Sequence, residues 1–346
     1  MTRIPRERLT RWAVAALSRV GVPPEEAKLV GESLVQTSVW GVDSHGILRL
    51  THYLRRMSLG SIQPAAVPVV TRTGPVTAQV HGEDGLGIVH AMLAMETAVE
   101  MAKENGAGLV GVGHSSHCGA MQLYTRFAAR QHLIGIAFTH ADSIVVPHGG
   151  TKKYFGTNPI SIAVPRRSGE AICLDMATSQ VAWNKVKNAR LEGKPLPEGI
   201  AVDQQGRPTI DAHAAEAAIP LGGPVYGYKG YGLALMIDIL CGTMNGMSYG
   251  PKLTRMYDEL DKPRKIGHFL VAIDPARFAG AEAFESQVDE MVADLHSRGE
   301  ILYPGEPEER AAREREAAGI PIDTEALADM DQWSRKLGIP TPTETE

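Results

Sequence analysis

At 346 residues, 43% apolar and 22% charged, the chain has the composition of an ordinary soluble globular protein with room for two or three structural units. A net charge of −5 with dispersed basic residues offers no footprint for nucleic acid or an anionic membrane. Three scattered cysteines, Cys118, Cys173 and Cys241, exclude a disulfide framework or CxxC metal site, and no signal-peptide pattern or run of about 20 apolar residues is present, so a reducing, cytoplasmic location is expected.

Leu9, Trp12, Ala13, Ala16, Leu17 and Val20 fall at helical spacing, and Gly21 ends that run. Pro23-Pro24-Glu25-Glu26 opens a second helix carrying Ala27, Val30 and Leu34. Asp43 or Ser44 is placed to cap a third, whose apolar stripe is Ile47, Leu50, Leu54 and Met57. Pro64 and Pro68 mark a linker. Beyond it, Pro75 to Val80 alternates like a strand, Gly85 to Gly106 reads as a long helix, Leu109 to Val112 as a strand, Met121 to Gln131 as a helix and Ile134 to Phe138 as a strand. Ser161 to Val164 and Ala171 to Leu174 are further strands; Val181 to Leu191 and Tyr231 to Met244 are helices. Lys265 to Ile273 is one more strand, and helices follow at Ala281 to His296, Pro307 to Ala318 and Thr324 to Leu337. The pattern is mixed α/β, and the polar tail Thr341 to Glu346 is expected to be disordered.

Gly111 to Pro165 concentrates five of the twelve histidines, two glycine-rich turns and a Gly156-Thr157-Asn158-Pro159 turn between apolar runs. Polar loops set on rigid strands are where chemistry concentrates. Gly85-Leu86-Gly87 follows a strand and opens a helix, as a dinucleotide fingerprint does. It lacks the third glycine and the acidic residue about twenty positions on, so it reads as a turn feeding a core helix.

Ser44-His45-Gly46 with Arg49 can place an imidazole and a guanidinium on one helix face, a pairing suited to a carboxylate. It equally describes a capped surface helix. His114 and His117 have HxxH spacing, with His140, Asp142 and His148 beyond; a zinc-dependent hydrolase is one reading, catalytic or backbone-bonded histidines another. Asp175 ends a strand, where a carboxylate either accepts from a ribose hydroxyl or caps the next helix. Tyr226-Gly227-Tyr228-Lys229-Gly230-Tyr231-Gly232 before a helix is either a phosphate-contacting loop or a flexible one.

In order along the chain, Ser44-His45-Gly46 with Arg49, the run from His117-Cys118-Gly119 through Pro147-His148-Gly149-Gly150 to Gly156-Thr157-Asn158-Pro159, Asp175-Met176-Ala177-Thr178-Ser179, Lys229-Gly230-Tyr231-Gly232, Gly267-His268-Phe269 and Tyr303-Pro304-Gly305-Glu306 resemble one family. It is the type-2 malate/L-lactate dehydrogenase family, which also holds ureidoglycolate, sulfolactate and imino-acid oxidoreductases. The resemblance reaches about Ile322.

It implies an NAD- or NADP-dependent oxidoreductase acting on a small 2-hydroxy acid and its 2-oxo acid, malate- or lactate-like, with a ureidoglycolate dehydrogenase as the alternative. It implies a homodimer, and a non-Rossmann cofactor-binding α/β domain (71–275) inserted in an α-helical domain made of 1–70 and a returning segment, 276–346. His45 and His117 become the proton-transfer residues, with Ser44 orienting His45. Arg49, Trp183, Lys185 and Arg264 become acid-binding positions. Ala141, Asn158, Asp175, Met176, Ala177, Lys229, Gly230, Gly305, Glu306 and Pro307 become cofactor-binding positions, and no metal is called for.

The chain departs from the pattern at Asn184, where ureidoglycolate dehydrogenases carry glycine after the tryptophan matched by Trp183. Imino-acid reductases carry arginine and aspartate where Trp183 and Lys185 stand, which disfavours an imino acid. A few extra residues, Pro224 to Tyr228, precede Lys229. Against the resemblance stand a hydrolase built on His114, His117 and His140, and a nucleotide-binding protein without turnover.

Overall fold

The computed structural model describes residues 1–344. A short strand β1 (Thr2–Ile4) leads into helices α1 (Arg6–Arg19) and α2 (Pro24–Val39). These pack on α3 (Leu50–Ser58) through Leu9, Ala13, Leu17, Val30, Leu34 and Leu54, all fully buried. Burying each such side chain is worth about 1.5–3 kcal/mol. The segment before α3 differs from expectation. Neither Asp43 nor Ser44 caps a helix; residues Asp43–His45 and Ile47–Arg49 form two tight 3-10 turns. Asp43 instead receives the guanidinium of Arg315, with one oxygen 2.9 Å from Nη2. A charge-assisted, bidentate pair outcompetes a single neutral N–H for the same carboxylate.

The central sheet has seven strands: β2 (Val69–Arg72), β3 (Thr77–His81), β4 (Ala107–Ser115), β5 (Ile134–Thr139), β6 (Ile160–Val164), β7 (Ile172–Met176) and β10 (Ile266–Ile273). Their order is β2-β3-β4-β10-β5-β6-β7. Only β3 and β4 pair in parallel, joined by the long buried helix α4 (Gly87–Asn105); the other neighbours are antiparallel. In the turn that opens α4, Ser116 Oγ accepts from the Gly87 N–H and donates to the Gly85 carbonyl. Those groups are thereby consumed internally, as a turn feeding a core helix requires.

Helices α4 and α5 (Gln122–Ala129) cover one face of the sheet. The other face carries α8 (Tyr228–Cys241). Glycines at the two β4 positions make this close stacking possible. A Cβ on Gly108 would lie 2.1 Å from the Ala98 carbonyl oxygen, and one on Gly111, pointing the opposite way, 1.9 Å from Asn245 Oδ1. Beyond β7 come α6 (Trp183–Glu192), the short pair β8 (Ala201–Val202) and β9 (Ala217–Ala218), and α7 (Gly223–Tyr226).

Helix α9 (Ala281–Ser297) bonds the β6–β7 turn, where Asp289 accepts from Ser168, and Glu285 meets His132 at 2.7 Å. The chain then returns through α10 (Glu306–Ala318), β11 (Ile320–Ile322) and α11 (Thr324–Leu337). β11 pairs antiparallel with β1, Ile4 facing Ile320, and Trp12 Nε1 donates to Ser334 Oγ at 2.8 Å. The tail expected to be disordered closes a turn at Thr341, whose N–H meets Glu344; Thr345 and Glu346 lie outside the described residues. No helix among the described residues is long and apolar enough to cross a membrane.

Candidate active site

The 3-10 turns and α3 present a polar stripe on the side opposite Ile47, Leu50 and Leu54. It contains His45, Arg49, His52, Tyr53 and Arg56. Gly46 lets this segment approach α2: a Cβ there would lie 2.1 Å from Ser38 Oγ, which accepts the Ile47 N–H at 2.9 Å. The stripe faces the loop after β4. There the His117 ring stacks on that of His45, centroids 5.4 Å apart and planes 23° from parallel.

Each imidazole is held at Nδ1. Ser44 Oγ lies 2.8 Å from His45 Nδ1, and the Tyr53 hydroxyl 2.6 Å from His117 Nδ1. The Gly119 N–H also points at His117 Nδ1, from 3.3 Å. Among the described residues no group bonds either Nε2. Burial, with Arg49 adding to it, pushes the His45 pKa down to about 4. Burial does the same to His117, well below its ordinary value, helped by His45, Arg49 and Arg264. Both rings are therefore neutral at physiological pH, the form that can accept a proton. A tyrosine hydroxyl both donates and accepts, so Tyr53 can pair with either tautomer of His117; the tautomer that accepts at Nε2 carries its proton on Nδ1, donates it to Tyr53 and gives up the longer Gly119 contact.

Two guanidinium groups flank the imidazoles. Arg49 donates from Nε to the Ser44 carbonyl and from Nη1 to the Tyr257 hydroxyl at 2.7 Å. Arg264 is 3% exposed and bonds Asp142 through Nη2 at 2.7 Å, yet its Nε and Nη1 have no hydrogen-bond partner among the described residues. A buried donor left unpaired costs about 1–3 kcal/mol. Two of them sit on one guanidinium, close enough to depress His117, and are the kind of donors an anion satisfies.

The expected cofactor positions form a continuous strip at the end of β7. Asp175 Oδ2 accepts the Gln122 N–H at 2.9 Å, and burial raises its carboxyl pKa to about 7. Gly305 lies against Cys173: the Cys173 N–H donates to Pro304, and Arg126 Nη2 reaches the Gly305 carbonyl at 3.4 Å. Met176 and Ala177 lead to Thr178, which bonds the Thr157 carbonyl and, through the Leu221 N–H, the loop that also binds Gly230. Asn158 is fully buried, its Oδ1 accepting the Ala141 N–H and its Nδ2 donating to Ala234 of α8. Its side chain thus braces Ala141, next to the Asp142 that holds Arg264.

A nicotinamide dinucleotide fits this donor set. Arg126, 1% exposed, reaches the Gly305 carbonyl with Nη2 while its Nη1 lies 3.6 Å from the Glu170 carboxylate, and the strip adds the Asp175 carboxyl and the exposed Lys229. Glu306 is less available, since Arg310 and His296 occupy its carboxylate at 2.8 and 3.1 Å. Pro307 is exposed on the first turn of α10.

On α6 the arrangement differs from the simple expectation. Trp183 packs into apolar clusters with the Arg190 guanidinium 5.6 Å from its ring centroid, and Lys185 is exposed. Lys187 is the α6 cation that reaches the site, its Nζ 3.6 Å from the Tyr257 ring centroid. Lys187, Tyr257, Tyr53 and Arg56 were not singled out as site residues in the sequence, and Asp142 stood out only beside the histidines of the metal reading. For Tyr53 and Arg56 a signal existed, the four- and seven-residue spacing from Arg49 on one helix face. For Tyr257 there was none.

The histidines offered for a metal do not converge. His114 stacks on His81, centroids 4.2 Å apart; His140 bonds Asp238 at 3.3 Å and the Gly267 N–H at 2.9 Å; His117 bonds Tyr53. Among the described residues no group of three or more His, Cys, Asp or Glu side chains is placed to hold a metal ion.

Comparison with known proteins points one way. A family model described as malate/L-lactate dehydrogenase matches residues 4–331. Ureidoglycolate dehydrogenase (NAD(+)) of Escherichia coli O157:H7 is 36% identical over 326 residues, 92% of each chain. Malate dehydrogenase of Pyrococcus horikoshii is 34% identical over 97% of this chain and 96% of its own. The structure of sulfolactate dehydrogenase from Methanocaldococcus jannaschii superposes with a TM-score of 0.92 at 34% identity, covering 100% of both chains. With its motifs in order, its site assembled and its whole length matched, the chain belongs to the malate/L-lactate dehydrogenase family.

Proposed function

We propose that the protein catalyses reversible oxidation of a small, malate- or lactate-like 2-hydroxy acid to the 2-oxo acid with NAD, or NADP, as partner. The observation that carries this reading is the pair of neutral, buried imidazoles next to a buried guanidinium with two unpartnered N–H groups. The bound nicotinamide supplies hydride acceptance and return. His117 takes the hydroxyl proton at Nε2 while Tyr53 steadies Nδ1. Ser44 orients His45, the second imidazole. Arg49 and Arg264 hold the acid, so that the reacting carbon is presented in one orientation and charge on the developing carbonyl oxygen is stabilised. The strip from Gly305 and Pro307 through Asp175, Met176 and Ala177 to Lys229, Gly230 and Ala141 binds the dinucleotide, with Asn158 bracing Ala141. A carboxyl at Asp175 and no arginine cluster beside it favour NAD.

Ureidoglycolate is the second reading, favoured by Trp183 and by the E. coli relative. We further read the α/β part, 71–275, as an insertion between 1–70 and 276–346. The β1–β11 pairing supports this reading, and the contacts of α9 with the α/β part favour a return at α10. A homodimer is proposed on the outer face of α8 beyond Lys229, where Leu233, Met236 and Ile239 are 42%, 51% and 43% exposed. The three free, buried cysteines suit a reducing cytoplasm.

The test is a matrix of 2-hydroxy and 2-oxo acids, malate, lactate, sulfolactate and ureidoglycolate among them, against both cofactors, followed by nicotinamide absorbance. Turnover with at least one acid is expected; none with any pair sinks the assignment.

A further inference from the structure

One buried arginine outside the reacting centre organises the loop that completes it. Arg56, on α3, is 2% exposed. Its Nη2 donates to the carbonyls of Met256 at 2.9 Å and of Arg255 and Glu259 at 3.2 Å. Its Nη1 donates to the Lys262 carbonyl at 3.1 Å, with the Leu260 carbonyl and Ser61 Oγ further off at 3.5 and 3.3 Å. Nε reaches His52 Nε2 at 3.2 Å. A loop of some eight residues is thus wrapped around one guanidinium, whose planar fork supplies five donors in fixed directions.

The loop is anchored at the site end as well. Asp142 accepts the Met256 N–H at 3.2 Å with one oxygen and Arg264 at 2.7 Å with the other. What the loop delivers is Tyr257, whose hydroxyl holds Arg49 Nη1 at 2.7 Å and whose ring lies under Lys187, and Arg264 with its two free donors. Arg56 itself touches neither imidazole.

We infer that Arg56 is a positioning residue for acid binding: it shapes loop 255–262 so that Tyr257 sets the rotamer of Arg49 and Arg264 is held beside His117. This rests on the reading of Arg49 and Arg264 as the acid-holding pair. Lysine cannot replace it, because an ammonium is a point donor and cannot span carbonyls spread from Arg255 to Lys262.

The test uses the full-length chain with Arg56→Lys and the milder Ser61→Ala, which removes the Ser61 tie to the Leu260 carbonyl and one long acceptor of Arg56 while keeping the guanidinium and its carbonyl partners. Hydrogen–deuterium exchange over 253–264 reads the clamp directly, without turnover. Steady-state kinetics with the best acid read its consequence, and NADH fluorescence titration reads cofactor affinity. For Arg56→Lys we expect faster exchange in that peptide, KM for the acid raised at least tenfold, kcat within about threefold and NADH affinity within twofold. Ser61→Ala should shift KM two- to fivefold in the same sense, and it carries the test if Arg56→Lys does not fold. Unchanged exchange overturns the clamp. Faster exchange with an unchanged KM, or equal losses in acid and NADH binding, overturns the positioning role. Absence of turnover in the wild type would instead count against the proposed activity, leaving the exchange result to stand by itself.

Discussion

Replacing Arg264 by methionine separates a group kept for its ligand from one kept for the fold. The side chain is 3% exposed, and two of its donor atoms have no partner among the described residues. Hydrogen bonds from a charged donor are worth about 1.5–3 kcal/mol each. Loss of two to a bound carboxylate would therefore weaken acid binding by about 3 kcal/mol or more, about a hundredfold. The fold stands to lose much less. Methionine removes two unsatisfied donors, which cost about 1–3 kcal/mol apiece, and offers similar apolar volume. What is lost is the 2.7 Å pair with Asp142, whose carboxylate is 17% exposed and keeps the Met256 N–H. The expected result is a KM, or a Kd from quenching of NADH fluorescence by the 2-oxo acid, raised about a hundredfold, with Tm changed by only a few degrees. The acid should raise the Tm of the wild-type binary complex and not that of Arg264→Met. Acid affinity within threefold of wild type would refute the reasoning. So would a fall in Tm of ten degrees or more, since the guanidinium would then be structural.

Tyr53→Phe removes one oxygen from a fully packed position and leaves His117 Nδ1 with only the longer Gly119 contact, so kcat should fall about tenfold, equivalent to about 1.4 kcal/mol, with KM nearly unchanged; an unchanged kcat removes Tyr53 from the proton-transfer unit. Stability should decline steeply in acid. His45 and His90 are pushed by burial down to about 4, and His52 and His268 to about 3, from an ordinary 6.5. Their folded values are depressed, so the unfolded chain binds more protons below pH 6.5. Each contributes stability present above 6.5 and lost as the pH falls toward 4, at up to about 1.4 kcal/mol per pH unit. Asp175, raised to about 7, works in the opposite sense between about 4 and 7, as do Glu26, Glu96 and Glu309, which burial also raises, while His117 adds to the four histidines. A Tm that stays flat from pH 7 to pH 4.5 would contradict this. Met236→Lys on α8 should convert a dimer to a monomer in size-exclusion chromatography with light scattering; an unchanged mass places the interface elsewhere.

Local physics was legible in the sequence wherever one segment decides its own state. Local patterning placed helices α1, α2, α4, α9 and α11 and strands β3, β5 and β6 to within a few residues of where they lie. The order of the motifs identified the family before any contact was known, and the missing third glycine rightly turned Gly85 into a packing turn. Tertiary structure decided what depends on partners far along the chain. Asp43 was free to cap a helix until Arg315, 272 positions away, claimed it. The HxxH spacing of His114 and His117 suggested a shared ligand, but the β4 end sends one ring onto His81 and the other to Tyr53. Arg264 was named an acid-binding position by resemblance alone; its burial, its two unpaired donors and its place beside His117 come from a loop wrapped around Arg56, 199 to 206 residues apart in sequence. Periodicity reports which face a residue takes on its own element. Only the folded chain decides what stands opposite that face, and the chemistry of a site is set by those opposing groups.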